Sequence, residues 1–369
     1  MLLLLPATLF SQSKIYNDGP YIFFSDKGVE VVGSYKHRAG DTTRILIDTV
    51  YSGIAAMGDI RISDDKGRRV FSLPNRFLQE NIGEEGWDAG IRKQCEEVKG
   101  DKIFVISDSH GNFKNFISIL SAAGVIDKEL AWDYGDNRLV IIGDTFDRGN
   151  DVLALFWLIY SLERQAAQNE GCVTYLLGNH DNMVIKGDLR YMKKKYKRLQ
   201  DTLHMPYDRF FSPETYLGRW LRSKNTIRII GNTLFVHGGI SDAFARSGIS
   251  PAEANAFIQQ HLDVPKKEYD EKAAFLLGSD GPLWYRGLVR EDEKYNPVKE
   301  EDLDRILTQY NVSRIVVGHT TFEGVQFHHG GKVISVDSEN EELDIDHLYQ
   351  GIEIKGDKIK VITTRPVKK

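Results

Sequence analysis

The stretch Lys102-Ile-Phe-Val-Ile-Ser-Asp108-Ser-His110-Gly-Asn112 passes from an apolar run straight into turn-forming polar residues. The apolar half, Lys102–Ser107, predicts a buried strand. Its polar half then lies at the carboxyl end of that strand, where open α/β sheets place their ligands. Asp108 and His110 are two residues apart, so one turn can aim both at the same ion. Taken alone, the stretch is equally an ordinary strand-ending turn, because Asp, Ser, Gly and Asn all favour turns.

Repetition argues against that plain reading. Arg138-Leu-Val-Ile-Ile142 predicts a second buried strand, and it ends in Gly143-Asp144-Thr-Phe-Asp147-Arg148-Gly149. Asp144 can bridge, one oxygen to each of two ions. Arg148 carries a planar fork suited to phosphate, and Asp147 can orient a neighbouring histidine. A helix start at Asp147 would leave the second strand-end aspartate unexplained. Val173-Thr-Tyr-Leu-Leu177 predicts a third strand, followed by Gly178-Asn179-His180-Asp181. Asn179 offers a neutral oxygen ligand. His180 can protonate a leaving oxygen as a general acid, and Asp181 can cap the next helix. Thr233–Val236 leads into His237-Gly238-Gly239, and Arg314–Val317 into Gly318-His319-Thr320. The glycines let the backbone come close to a metal cluster.

The ligands sum to three oxygens, from Asp108, Asp144 and Asn179, and three imidazoles, from His110, His237 and His319. Such a mixed set suits manganese, iron or zinc rather than magnesium or calcium. Two such divalent ions, about 3.5–4 Å apart, hold a bridging hydroxide that attacks a clamped phosphoryl group in line.

These motifs resemble the phosphoprotein phosphatase family within the calcineurin-like metallophosphoesterases, over about residues 101–340. The likeness is nearest to the bacterial, Shewanella-like branch. It is carried also by Leu217-Gly-Arg-Trp-Leu-Arg-Ser-Lys-Asn225 ahead of His237, and by Pro282-Leu-Trp-Tyr-Arg286-Gly. The resemblance implies that Asp108 and His110 bind a first ion and that Asp144 bridges. It implies that Asn179, His237 and His319 bind the second ion and that Arg148 and Arg286 hold phosphate oxygens. His180, steadied by Asp147, would protonate the leaving group. The role of Arg286 rests on the resemblance; read from the residues it is a surface arginine after Trp284-Tyr285. The implied fold is an α/β sandwich of two mixed sheets flanked by helices. Eukaryotic members carry a tail with a tyrosine near the site, and no matching segment is evident here. Lys332–Val336 ends instead at Asp337-Ser338, so the resemblance does not extend to toxin-type inhibitor binding or a strict serine/threonine preference. Asp337 reads either as a partner for a ligating histidine or as a strand-end turn residue.

Composition bounds the rest. The chain has 369 residues, 27% charged and 41% hydrophobic, as expected of a globular protein with one or two domains. A net charge of −5 carries no nucleic-acid footprint, and no apolar run is long enough for a transmembrane helix. Met1-Leu-Leu-Leu-Leu-Pro-Ala-Thr-Leu-Phe-Ser-Gln12 reads as a signal-peptide remnant, without a basic n-region, cut near Ser11 or Gln12. The expected location is therefore periplasmic or secreted; without that leader it is cytoplasmic. Cys95 and Cys172 can pair in an oxidising compartment, but Cys172 precedes a central strand and reads as a buried thiol. Neither is followed six residues on by Arg, which argues against a cysteine-nucleophile phosphatase loop.

Residues 13–98 predict a β-rich domain or extension, with strands at Tyr21–Phe24, Val29–Val32, Arg44–Ile47 and Ile60–Ile62 and turns at Asp26–Gly28 and Asp64–Gly67. Residues 99–369 predict the catalytic domain, with helices at Phe113–Ala123 and Val152–Gln165 and a hairpin at His329–Gly331. Residues 185–228 form an expected helical cap. Its Lys193-Lys-Lys195 run reads as a solvated face, and its aromatic and arginine segment 209–222 as the part that touches substrate.

The expected function is metal-dependent hydrolysis of phosphomonoesters, on a phosphorylated protein or small phosphoester, with a leaning to phosphotyrosine. The same metal motifs fit a dinucleoside polyphosphate or nucleotide hydrolase. A non-catalytic phosphate-binding module is the third reading, and it leaves His180 and Asp147 without a purpose.

Overall fold

In the computed structural model, residues 17–36, 44–63, 67–79, 95, 98–338 and 349–364 are described. The expected leader, residues 1–12, lies outside them.

The amino-terminal part contains β1 (Asp18–Ser25), β2 (Gly28–Lys36), β3 (Arg44–Tyr51), β4 (Ile60–Ser63) and β5 (Arg69–Leu73). β1–β2–β3 form an antiparallel sheet, and β4 and β5 pair as a hairpin. The four expected strands are present, and β5 is additional. The central part has β6 (Lys102–Ile106), β7 (Arg138–Ile142), β8 (Cys172–Leu176), β9 (Ile227–Ile230) and β10 (Thr233–Val236). β11 (Arg314–Val317), β12 (Gln326–His328), β13 (Val333–Ser335), β14 (Gln350–Lys355) and β15 (Lys358–Thr363) follow.

Two five-stranded sheets result, in the orders β15-β14-β6-β7-β8 and β12-β13-β11-β10-β9. Each is mixed: β6, β7 and β8 run parallel, as do β10, β11 and β13, while β14, β15, β9 and β12 pair antiparallel. Side chains alternate along each strand. Val105, Val140, Ile142 and Leu176 of one sheet meet Phe235, Val316 and Ile334 of the other, forming the layer between them. Phe104, Ile106, Leu139, Ile141, Val173 and Tyr175 point the opposite way, into the large core under the helices. Both faces are buried, which is why the strands read as unbroken apolar runs. The carboxyl ends of β6, β7, β8, β10 and β11 therefore lie along one rim of the sandwich.

The helix Val152–Gln168 is buried nearly all round. Such a helix needs cover on both sides. β8 packs on one face, and the amino-terminal part covers the other: Trp157 Nε1 donates to the Pro20 carbonyl at 3.1 Å and the Tyr160 hydroxyl to that of Phe77 at 2.6 Å. Ile62, Leu73, Phe77 and Leu78 belong to the same hydrophobic cluster as Trp157. The amino-terminal strands thus share the core of the catalytic part.

Segment 185–228 is helical, at Lys194–Leu203, Tyr207–Phe211 and Tyr216–Arg222. Its use differs from the expectation. Phe210, Phe211 and Trp220 are fully buried, and Arg222 pairs with Asp263 while Arg219 lies over Phe24. The hydrophobic effect places these aromatic rings in the core, so segment 209–222 is a packing element. Lys195 is not solvated either: it is buried and ion-paired with Asp18 of β1, and its neighbour Tyr196 accepts from Val152 N–H at 2.9 Å. The cap is clamped to the amino-terminal sheet.

Cys95 and Cys172 form a disulfide that closes 77 residues of chain. The reading of Cys172 as a buried thiol is corrected. The first residue of β8 is buried beside Cys95, which sequence separation alone could not reveal.

Candidate metal centre

Each predicted ligand follows a strand of the shared rim. Asp108 and His110 follow β6, Asp144 follows β7, Asn179 and His180 open the helix after β8, His237 follows β10, and His319 follows β11. All are buried. Two groups meet closely enough to share an ion, His110–Asp144–His180 and Asp144–His237–His319, with the ligand atoms of each group within 4.8 Å of one another. Asp144 is common to both, as a bridging carboxylate must be.

The backbone reaches this arrangement at a cost. Asp108, His110, Asp144, Asp147, Arg148 and His319 all adopt the left-handed region, with φ between 42 and 67°. Such conformations cost non-glycine residues about 1–3 kcal/mol each and persist only where the surroundings enforce them. Hydrogen bonds enforce them here. Asp108 N–H donates to the Gly143 carbonyl at 3.1 Å and His110 N–H to that of Asp144 at 2.9 Å, stitching the first two turns together. The buried Asp181 carboxylate accepts from the N–H groups of Asp144 (3.2 Å), Thr145 (3.3 Å) and Gly178 (2.8 Å) and from the Tyr175 hydroxyl (2.8 Å). Asp181 caps its helix, as expected, and also fixes the bridging aspartate's turn. A Cβ on Gly178 would lie 2.0 Å from Asp144 Oδ1, and one on Gly318 2.5 Å from Asp108 Oδ2. These two glycines are required for the close approach of backbone to carboxylate.

The four histidines divide by what holds them. His110 Nδ1 donates to the Phe146 carbonyl (2.8 Å), His237 Nδ1 to that of Ile142 (2.8 Å) and His319 Nε2 to that of Trp284 (3.1 Å). A carbonyl oxygen can only accept, so each bond fixes the tautomer and leaves the other ring nitrogen as a lone-pair donor. His180 is different: its Nδ1 faces the carboxylate of Asp147 at 2.7 Å, and its Nε2 lies 4.0 Å from Asp144 Oδ2. A carboxylate partner favours the protonated ring.

The donor set itself calls for cations. His237 Nε2 lies 2.9 Å from Asn179 Oδ1 and 3.2 Å from Asp144 Oδ2, with His110 Nε2 3.8 Å from Asp108 Oδ1. Lone pairs facing lone pairs repel unless a proton or a metal ion lies between them. Proton affinities reflect this. Burial works against a charge on His237, but Asp144 and Asp108 push its pKa up to about 10. Burial and neighbouring Asp144 raise Asp108 to about 6, against the opposing pull of His237. Asp144 stays well below the usual carboxylate range; burial opposes this, but His237 and His180 outweigh it. Burial keeps His110 low, at about 3, the neutral form a metal requires. His180 is raised: burial pulls it down, and Asp144 and Asp147 more than compensate.

The phosphate-binding candidates flank this cluster. Arg148 is exposed at the rim. Arg286 is brought in by the 281–289 loop and donates to the His319 carbonyl (2.8 Å) and Thr320 Oγ1 (3.0 Å), so it is no ordinary surface arginine. Asp337 is buried and accepts from Thr321 Oγ1 at 2.9 Å, so its hydrogen bond goes to a hydroxyl rather than to a ligating histidine. Tyr349 is buried beneath the site and donates to the Ser107 carbonyl beside Asp108. Sequence reading missed it because residues 339–348 separate it from the last motif.

The calcineurin-like phosphoesterase model matches residues 101–321. The chain belongs to that family. It is a metallophosphoesterase, a metal-dependent phosphatase. Among its relatives, an uncharacterised protein of Schizosaccharomyces pombe is 32% identical over 246 residues, 64% of this chain and 72% of that one. The Shewanella-like protein phosphatase 1 of Plasmodium berghei is 27% identical over 262 residues, 69% of this chain and 72% of that one. Among solved structures, the cold-active protein-tyrosine phosphatase of a psychrophilic Shewanella matches with a TM-score of 0.76 and 28% identity, covering 95% of this chain and 99% of that one. The metallophosphoesterase sandwich and the Shewanella-like likeness read from the motifs are both borne out. No helix among the described residues is long and apolar enough to cross a membrane.

Proposed function

We propose that this phosphatase hydrolyses phosphoproteins, with preference for phosphotyrosine. The observation that carries the catalytic part is the division of the histidines: three bonded to carbonyls, one to a carboxylate. Asp108 and His110 would hold a first ion, Asn179, His237 and His319 a second, and Asp144 would join them. Two divalent ions of manganese, iron or zinc type would supply Lewis acidity and an activated water. Arg148 and Arg286 hold the phosphoryl oxygens. His180 delivers a proton from Nε2 to the leaving oxygen, and Asp147 keeps that proton available by bonding Nδ1. A binding module would have no use for this pair, which supports turnover. The tyrosine preference is supported by the likeness to a protein-tyrosine phosphatase over nearly the whole chain. The Cys95–Cys172 bridge supports a periplasmic or secreted location, where disulfides persist.

The test is hydrolysis by metal-stripped protein of matched phosphotyrosine and phosphoserine peptides and of diadenosine tetraphosphate, each with manganese, zinc or magnesium added back. Metal-dependent release of phosphate with the tyrosine peptide favoured is expected. Preference for the dinucleotide would move the protein to nucleotide hydrolysis, and no turnover of any substrate would overturn the catalytic reading.

A further inference from the structure

We infer that Tyr191 is the specificity residue of this site, an aromatic wall that receives the ring of an aryl phosphate; this rests on the phosphotyrosine reading above. Tyr191 is 51% exposed, a rare state for a large ring among the described residues. Its ring centroid lies 5.1 Å from that of His180, at an interplanar angle of 51°. His180 also meets His110, edge to face, at 4.9 Å.

The exposure is built. Residues 189–192 form a tight turn, with Met192 N–H bonded to the Leu189 carbonyl at 3.1 Å. Leu189 and Met192, the outer residues of the turn, pack on the hydrophobic core. Arg190 and Tyr191 therefore project from its tip. Arg190 is held by both carboxylate oxygens of Asp188, Nε at 2.8 Å from Oδ1 and Nη2 at 2.8 Å from Oδ2, and its guanidinium lies 5.7 Å from the centre of the Tyr191 ring, at the turn's tip.

Chemistry then selects the substrate. To receive a proton, the leaving oxygen must come within about 3 Å of His180 Nε2. In phosphotyrosine that oxygen is attached directly to an aromatic ring, so the ring must lie among the neighbours of His180. In phosphoserine the same place is taken by a single methylene. Aromatic rings attract at centroid separations of about 4.5–7 Å, and among the described residues Tyr191 is the solvent-facing aromatic ring at that distance from His180. Segment 209–222, the other aromatic part of the insert, is buried and cannot serve.

The test uses the full chain with manganese and two peptides of one sequence, differing only in phosphotyrosine or phosphoserine. In Tyr191→Ala the KM for the phosphotyrosine peptide, relative to that for phosphoserine, should rise about five-fold, the scale of one lost aromatic pair. The change should fall in KM rather than kcat, and Tyr191→Phe should restore the wild-type ratio. Loss of kcat equally on both peptides would overturn the inference, because the ring would then only prop His180. A wild-type preference for phosphotyrosine that survives Tyr191→Ala would overturn the role of Tyr191 alone. Wild-type enzyme with no such preference would instead overturn the reading on which it rests.

Discussion

The rim of the sandwich and the insert at 185–228 are both dense in side chains that sequence reading singles out, yet they use them in opposite ways. At the rim, polar residues are buried in a strained backbone and their lone pairs face one another. In the insert, the aromatic residues other than Tyr191 are buried in ordinary packing, and Phe210, Phe211 and Trp220 join the common core. Buried polarity that hydrogen bonds do not fully satisfy calls for a ligand. Buried apolarity needs no explanation beyond the hydrophobic effect. The two regions touch through Phe146, which packs against Phe211 at 4.6 Å and whose carbonyl holds His110 at 2.8 Å. Changes at the rim should therefore abolish chemistry while sparing the fold, and changes at the buried rings of the insert should do the reverse.

The largest effect is expected at Asp144. Asp144→Asn removes the carboxylate common to both ligand groups, so phosphatase activity should fall to background and bound metal should be lost together. Elemental analysis after gel filtration checks this; two ions retained per chain would end the bridging role. His180→Gln comes next. It should lower kcat by about 10²–10⁴-fold on esters with poor leaving groups, and far less on nitrophenyl phosphate, whose leaving oxygen needs no proton. An equal loss on both would remove His180 as the acid.

Asp147→Asn should cost about 10–100-fold, the usual scale for a partner that orients a functional histidine. It should also move the pH profile in a defined direction. Asp147 helps hold the pKa of His180 above its ordinary value. Without that charge His180 loses its proton at lower pH, so the alkaline limb of kcat should shift downward. An unmoved limb would sever the link between the two residues. On turnover the smallest effect belongs to Phe210→Ala. Truncating this buried ring should destabilise the fold by about 3–5 kcal/mol, seen as a lower denaturant midpoint, while kcat per folded molecule is retained. A fall in kcat at full occupancy of the fold would show that insert and rim are coupled, and would break the contrast.

How far each region was legible follows from range. The rim is a set of short local patterns: an apolar strand, a polar turn, repeated at five strand ends. Strand alternation and turn chemistry act over a few residues, so Asp108, His110, Asp144, Asn179, His237 and His319 could be picked out one by one. Arg286 needed the family resemblance, since no local pattern distinguishes it from a surface arginine. Lys195 in its buried pair with Asp18, Tyr349 beneath Ser107 and the Cys95–Cys172 bridge depend on partners far away in the chain.

The sequence by itself determined the sandwich, its candidate ligand residues and the chemistry those residues can perform, because periodicity and donor type are properties of the chain. Only the tertiary structure decided which carbonyl or carboxylate each of these histidines bonds, and which aromatic ring of the insert faces water beside His180. Those distinctions rest on a hydrogen-bond partner and on burial. Both are set when segments distant in sequence pack together, and no residue carries them alone.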